Sequence, residues 1–234
     1  MAGFSDIVPV SVDTAPLAED RANDVWDDDN CVNYSADGQK LLDSFVFPSE
    51  ITVREGTRII CDEAFAFQDY MCEEDIPAGE DVPQEYRVSP LDKIKLPNSV
   101  THIGVGAFRE CGYIKSIKLP TSLVAICDSA FENCWSLKSI ACPASLKVIG
   151  DYAFGECFSL EKVRLNKGLV AIGPYAFFYC ENLEEITFPE TLEFIGEDAF
   201  RLCKSLKRIW VPKGKKDFFR EMLPQKLASK VREL

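Results

Sequence analysis

Ten cysteines, a single histidine and a run of acids at 27–29 are the residues of this chain that could do chemistry. Cys111, Cys134, Cys157, Cys180 and Cys203 recur every 23 residues. A thiol at one fixed column reads as a small buried hydrophobe, since a repeated structural position needs no other cause. Cys31, Cys61, Cys72, Cys127 and Cys142 stand singly, and no C-x-x-C pair is present to hold zinc. Disulfides between neighbouring rungs are geometrically marginal, because parallel in-register side chains rarely reach the required dihedral. Any Cys–His nucleophile would need His102, which directly precedes the inward Ile103 and is expected to face solvent. Asp27-Asp28-Asp29-Asn30 could chelate calcium, and Asn33-x-Ser35-x-Asp37-Gly38 looks like half a calcium loop, but Ser44 stands where the closing Glu belongs. Turn chemistry accounts for Asp37-Gly38. No phosphate loop or nucleophile elbow occurs. The reading is of no catalytic residue, no metal and no cofactor.

The elements that must hold these residues follow from the same period. Ala107-Phe108, Ala130-Phe131, Ala153-Phe154, Ala176-Phe177 and Ala199-Phe200 each stand three residues ahead of a column cysteine. Ile103, Ile126, Ile149, Ile172 and Ile195 precede the pair, and Ile117, Ile140, Val163, Ile186 and Ile209 follow it. Pro97, Pro120, Pro143, Pro189 and Pro212 mark one corner, with Asn166 standing in once. The unit reads L-x-x-I-x-L-P-x-x-L-x-x-I-G-x-x-A-F-x-x-C-x-x. Its I-x-L alternation is that of a strand buried on one face, and the Pro removes a ladder donor. A second short strand is expected at the Ile-Gly step. Gly104, Gly150, Gly173 and Gly196 suit a bend needing permissive dihedrals, although Cys127 occupies the same column. Ala-Phe-x-x-Cys reads as a short helical or 3₁₀ turn with Phe and Cys inward. A single unit is too small to bury its apolar face, so the units must stack into a solenoid.

These columns resemble the BspA-like, or Treponema-type, bacterial leucine-rich repeat family with its 23-residue repeat. The resemblance covers Leu91–Pro212 without gaps. It extends to a divergent earlier turn at Ile51, Val53, Gly56, Ile60-Cys61 and Ala64-Phe65, where Gly56 matches Gly168. It implies a mainly β solenoid of right-handed leucine-rich-repeat coils, and an interaction protein, several family members being surface adhesins.

A formal net charge of −12 argues against nucleic-acid partners and anionic membrane surfaces, which require clustered cations. No stretch approaches the ~18 apolar residues of a membrane span, and Met1–Val10 lacks the features of an export signal. As it stands the sequence reads as cytoplasmic, and its many thiols favour a reducing compartment. A cell-surface or secreted setting is the alternative if a signal peptide has been removed. The acidity is local. Residues 1–50 hold 11 acids against 2 bases and 68–90 hold 7 against 1, leaving 20 acids and 23 bases elsewhere.

Three parts are expected: an acidic arm and hairpin cap over 1–50, a six-turn solenoid over 51–212 with an insertion at 68–90, and a C-terminal helical cap over 213–234. Val32–Tyr34 and Leu41-Leu42 read as a hairpin with a primed turn at Asp37-Gly38, with Phe45 and Phe47 covering the first coil. Phe218, Phe219, Met222, Leu223, Leu227 and Val231 fall near helical spacing around Pro224.

Stacking sets the outward positions beside each I-x-L about 4.8 Å apart. Lys93, Lys95, Lys118, Lys162, Arg164 and Arg208 are there, with Glu185 as the one acid and Trp210 at one end. Lysines also blunt sheet aggregation. The pattern nevertheless suits an acidic protein partner, with Trp210 as an aromatic anchor. The expected function is a non-catalytic binding module for protein–protein interaction through this face. A cell-surface adhesin or glycan-binding protein is the alternative. The opposite charges also raise occupation of the basic face in cis by the acidic arm or the insertion.

Overall fold

The computed structural model describes residues 12–44, 49–66 and 91–234. Met1–Val10, Phe45, Phe47 and the acidic insertion at 68–90 lie outside the described residues. A short helix, α1 (Ala18–Ala22), leads into an antiparallel meander of β1 (Val25–Asp27), β2 (Val32–Tyr34) and β3 (Lys40–Ser44). β3 then pairs in parallel with β5 (Ile59–Ile60), so the hairpin cap joins the coils through a shared sheet. The turn is not primed. A primed type I′ turn needs positive φ at both central residues, whereas Gly38 alone has it here (φ 69), after a Ser35–Gly38 turn closed by a 2.8 Å backbone bond.

Beyond the cap the chain is a β-solenoid with two strand columns. The Ile-Gly column supplies β7 (His102–Ile103), β8 (Ala125–Ile126), β10 (Val148–Ile149), β12 (Ala171–Ile172) and β14 (Phe194–Ile195), which extend β5 into one nine-stranded sheet. The I-x-L column supplies β4 (Glu50–Thr52), β6 (Lys93–Lys95), β9 (Ser139–Ala141), β11 (Lys162–Arg164), β13 (Glu185–Thr187) and β15 (Arg208–Val211). Every pairing between coils is parallel and in register, Val163 against Ile140 and Ile186 for example. The I-x-L sheet is divided, because β4 and β6 pair separately and the coil between β6 and β9 contributes a single bridge, Ser116 to Ser139.

The core is made of ladders. Phe65, Phe108, Phe131, Phe154, Phe177 and Phe200 stack with centroids 5.1–5.4 Å apart and ring planes within 9°. All six are buried, each worth about 1.5–3 kcal/mol against exposure. The column cysteines are buried beside them, as their spacing suggests. The Ala-Phe-x-x-Cys segment is a run of i→i+3 turns, such as Ala107 N–H to Gly104 C=O at 3.2 Å and Cys111 N–H to Phe108 C=O at 3.1 Å. Left-handed residues at the third position, Gly106 and Glu110, keep the run from continuing as a helix.

The glycine column has a different cause from the one expected. Gly104, Gly150, Gly173 and Gly196 are not among the residues with positive φ. Space decides them: a Cβ on Gly104 would sit 2.5 Å from Asp62 Oδ1 and 2.7 Å from Asp62 N in the preceding coil. Cys127 follows the coil that carries Val105 in place of that aspartate. Asp62 and Asp128 each accept the equivalent N–H of the next coil, from Val105 and Asp151, at 2.8 Å. Asp151 Oδ1 is buried without a partner among the described residues. Pro174 occupies the matching position and has no N–H to give.

The C-terminal cap forms as two helices, α2 (Lys216–Met222) and α3 (Gln225–Ala228), around Pro224. Val231, grouped with the helical lid by spacing, instead lies in a terminal strand, β16 (Val231–Glu233). That strand adds to β15 with Val231 beside Ile209 and fully buried.

Candidate functional site

The outward positions of the I-x-L column form a cationic surface, and strand alternation places them there. In β6, β9 and β11 the central residue is buried and both flanks are exposed. Register sets Lys162 between Ser139 and Glu185, and Arg164 between Ala141 and Thr187. Lys118 is exposed but lies outside any strand, where the sheet is divided.

Ion pairs split the predicted contacts into two groups. Lys95 pairs with Glu50. Arg208 pairs with Glu185 at 3.2 Å, and Trp210 Nε1–H donates to the same carboxylate at 3.1 Å. The Arg208 guanidinium also stands 5.9 Å from the Trp210 ring, which is half-buried, so Trp210 is held by its own neighbours. Lys207–Glu184 and Lys204–Glu181 add two further pairs between coils at this end. Lys93, Lys118, Lys162 and Arg164 have no ion pair among the described residues. The exposed, uncompensated charge therefore concentrates at mid-array. There a shallow depression is lined by Ser139, Glu161, Lys162, Arg164, Glu185 and Thr187.

One cation of this face escaped sequence reasoning. In β16, Arg232 lies in register beside Trp210. The signal was present: Lys230-Val231-Arg232 repeats Lys162-Val163-Arg164 residue for residue.

The described part of the acidic arm does not lie on this face. Thr14 Oγ1 donates to Asp62 at 2.6 Å, Asp20 pairs with Lys40 at 2.6 Å, and Arg21 pairs with Asp43. These contacts fix residues 14–21 to the meander and the first turn. The Lys40 ammonium and the Leu17 N–H hold the Asp20 carboxyl below the usual carboxylate range, against the opposing cost of its burial.

The other candidate chemistry resolves into packing. Each column thiol donates to the phenylalanine carbonyl of the preceding coil: Cys111 to Phe65, Cys134 to Phe108, Cys157 to Phe131, Cys180 to Phe154 and Cys203 to Phe177, at 3.0–3.2 Å. Burial pushes the Cys157 and Cys203 thiols up to about 12 and raises the other three well above the ordinary thiol value, which disfavours the thiolate that nucleophiles and metal ligands require. His102, expected at the surface, is half-buried, with Nδ1 2.9 Å from Thr101 Oγ1. Burial and the nearby Arg58 lower its pKa. Asp27 accepts from Asn30 and pairs with Arg54 at 3.0 Å. Among the described residues no group of three or more His, Cys, Asp or Glu is placed to hold a metal, and no helix is long and apolar enough to cross a membrane.

A second surface, not anticipated, lies along the turns. Tyr152 stacks on Tyr175 at 4.7 Å, both meet Phe178 edge-on, and Phe178, Tyr179 and Phe158 continue the contact. Tyr152, Tyr175 and Tyr179 all have positive φ, in columns that elsewhere take Gly106, Ser129, Asn133 and Asp198. The left-handed turn position is thus a fixture of the repeat, and these coils use it to display aromatic rings.

Comparison with known proteins agrees with the coil geometry. The pattern described as BspA type leucine rich repeat region matches residues 83–219 in six copies. No curated protein matches the sequence. Among solved structures, a leucine rich cell surface protein from Faecalibacterium prausnitzii A2-165 is similar with a TM-score of 0.57 and 21% identity, over 83% of this chain and 56% of that one. The pneumococcal vaccine antigen PcpA is similar with a TM-score of 0.60 and 24% identity, over 83% and 51%. The T. pallidum leucine rich repeat protein gives 0.51 and 20%, over 80% and 67%. The chain spans about half the length of the first two, and likeness at these identities concerns the fold.

Proposed function

Because this chain belongs to the BspA-type leucine-rich repeat family, we propose that it is a non-catalytic binding module whose I-x-L face docks an acidic protein surface. The observation that carries the reading is Lys162 and Arg164, exposed on the parallel strand β11, with Lys118 exposed in the coil before β9 where the sheet is divided, none of the three in an ion pair among the described residues. Fixed cations at strand spacing steer an acidic partner and set its register while contributing little to the stability of the solenoid. The buried thiols, whose pKa values burial raises, and the tied Asp27 support a role without chemistry at those groups.

The test is affinity capture with wild-type protein and with K118E/K162E/R164E, quantified by mass spectrometry. An acidic partner captured by wild type and lost by the variant is expected, with the melting temperature of the variant within a few degrees. Undiminished capture of every partner by the variant would defeat the assignment.

A second reading, carbohydrate binding at a cell surface, is favoured by the displayed rings of Tyr152, Tyr175, Phe178, Tyr179 and Phe158. The surface and antigen designations of two similar structures support that setting. A glycan array probed with wild type and with Tyr175→Ala separates it from the first reading.

A further inference from the structure

The turns of successive coils are joined by a ladder in which each coil's N–H groups point toward the next. Tyr175, Phe177 and Tyr179 donate to the carbonyls of Glu197, Ala199 and Arg201 at 3.1, 2.8 and 2.9 Å. The same three columns repeat this in the coils before, as Tyr152, Phe154 and Glu156 do to Pro174, Ala176 and Phe178. Asp198, Phe200 and Leu202 occupy those columns in the last coil, and their N–H groups have no acceptor among the described residues. On the I-x-L side β16 takes the place of a following coil and closes the sheet. On the turn side nothing among the described residues does, so a donor edge with two-residue spacing remains.

The edge opens into a cavity of about 250 Å³ between the last coil and the helical lid. Phe200, Leu202, Leu223 and Leu227 supply apolar lining. The titratable groups around it are Asp198, Arg201, Lys204, Lys226 and Lys230, along with the thiol of Cys203. Arg201 pairs with Asp198 at 3.3 Å, Lys204 with Glu181 at 2.5 Å, and Lys230 donates to the Leu206 carbonyl, whereas Lys226 is exposed with no ion pair among the described residues. Four cations thus surround a row of unused N–H donors over an apolar floor.

We propose that this end of the solenoid is a second binding site, one that takes an acidic peptide segment of a partner protein as a continuation of the turn ladder. The segment's carbonyls at alternate positions accept from Asp198, Phe200 and Leu202, as the carbonyls of a following coil would. Its acidic side chains meet the lysines, and its apolar side chains enter the floor against Leu223 and Leu227. Charge decides between occupants: the lining carries one carboxylate against four cations, of which Lys226 and Lys230 have no ion pair among the described residues, and this disfavours a basic or neutral guest.

The probe is a fluorescein-labelled hexapeptide of alternating Glu and Leu, with the alternating Lys and Leu peptide as control, titrated by fluorescence anisotropy. Saturable binding of the acidic peptide alone is expected, weakened at least about tenfold in Lys226→Glu. Amide hydrogen exchange at 198, 200 and 202 is expected to slow when the peptide is bound. K118E/K162E/R164E should bind it as wild type does, which keeps this site's failure distinct from failure of the sheet-face reading. Absence of binding, binding unaffected by Lys226→Glu, or binding without protection of the three amides each overturns the proposal. So does protection of those amides that grows with protein concentration in the absence of peptide, which would make a second copy of the chain the occupant.

Discussion

At the scale of single residues, the cysteine column shows how one side chain fills two structural needs. The thiol is buried in the core and donates to a carbonyl whose other lone pair already accepts within its own turn, as Phe108 does from Cys111 N–H and Cys134 Sγ. The consequence is an alkaline limit. A buried thiol whose pKa rises from 9.0 to about 12, as at Cys157, binds its proton more tightly in the folded state. The stability this contributes is complete below pH 9 and is lost as pH climbs toward 12, by about 1.4 kcal/mol per unit for each such thiol. Denaturant midpoints measured from pH 8 to 11 should fall accordingly, and the slope should ease by about one proton in Cys157→Ala. A slope unchanged by that substitution would contradict the account.

Elements are governed by how closely one coil lies on the next. At Gly150 a Cβ would stand 2.6 Å from Asp128 N, a backbone atom that cannot swing aside. Gly150→Ala is therefore expected to destabilise by about 1–3 kcal/mol in equilibrium unfolding, since overpacking here displaces a strand end rather than a side chain. An alanine here without effect would return the column to a dihedral explanation. The same closeness lets an aspartate in one coil accept from the next, and it leaves Asp151 Oδ1 unsatisfied where Pro174 interrupts the row. Desolvation and the neighbouring Asp128 raise the Asp151 pKa in consequence.

For the whole molecule, stability is a chain of nearest-neighbour interfaces, so the ends matter more than their size suggests. β16 closes the array with the fully buried Val231. Val231→Asp forces a charge into that interface, and the last coils should fray first. Amide exchange is expected to accelerate across residues 199–211 while 103–126 stay protected. Uniform acceleration would show that the array melts as one unit. Charge is also arranged at this scale: paired between coils at Glu181–Lys204, Glu184–Lys207 and Glu185–Arg208, and without an ion pair among the described residues at Lys118, Lys162 and Arg164. The pairs near one end quiet that part of the face, and the unpaired cations stand in its middle.

The period alone determined the stacked coils, the inward phenylalanine and cysteine columns, and the outward cations, because a repeated unit has one way to bury its apolar face and every copy must use it. Local patterning also sufficed for the hairpin at Val32–Tyr34 and the helices around Pro224. Tertiary contact decided the rest. The glycine column answers to an atom in the preceding coil, which no dihedral rule on the glycine itself reveals. Val231 joined a strand because Ile209 offered an unpaired neighbour, although its spacing suited a helix. Which lysines remain unpaired depends on carboxylates one coil away, as with Glu185 beside Arg208 and Trp210. The open donor edge at Asp198, Phe200 and Leu202 exists because the lid closes the sheet side and stands off from the turns, a relation between two surfaces that are distant in the chain and adjacent only in the folded molecule.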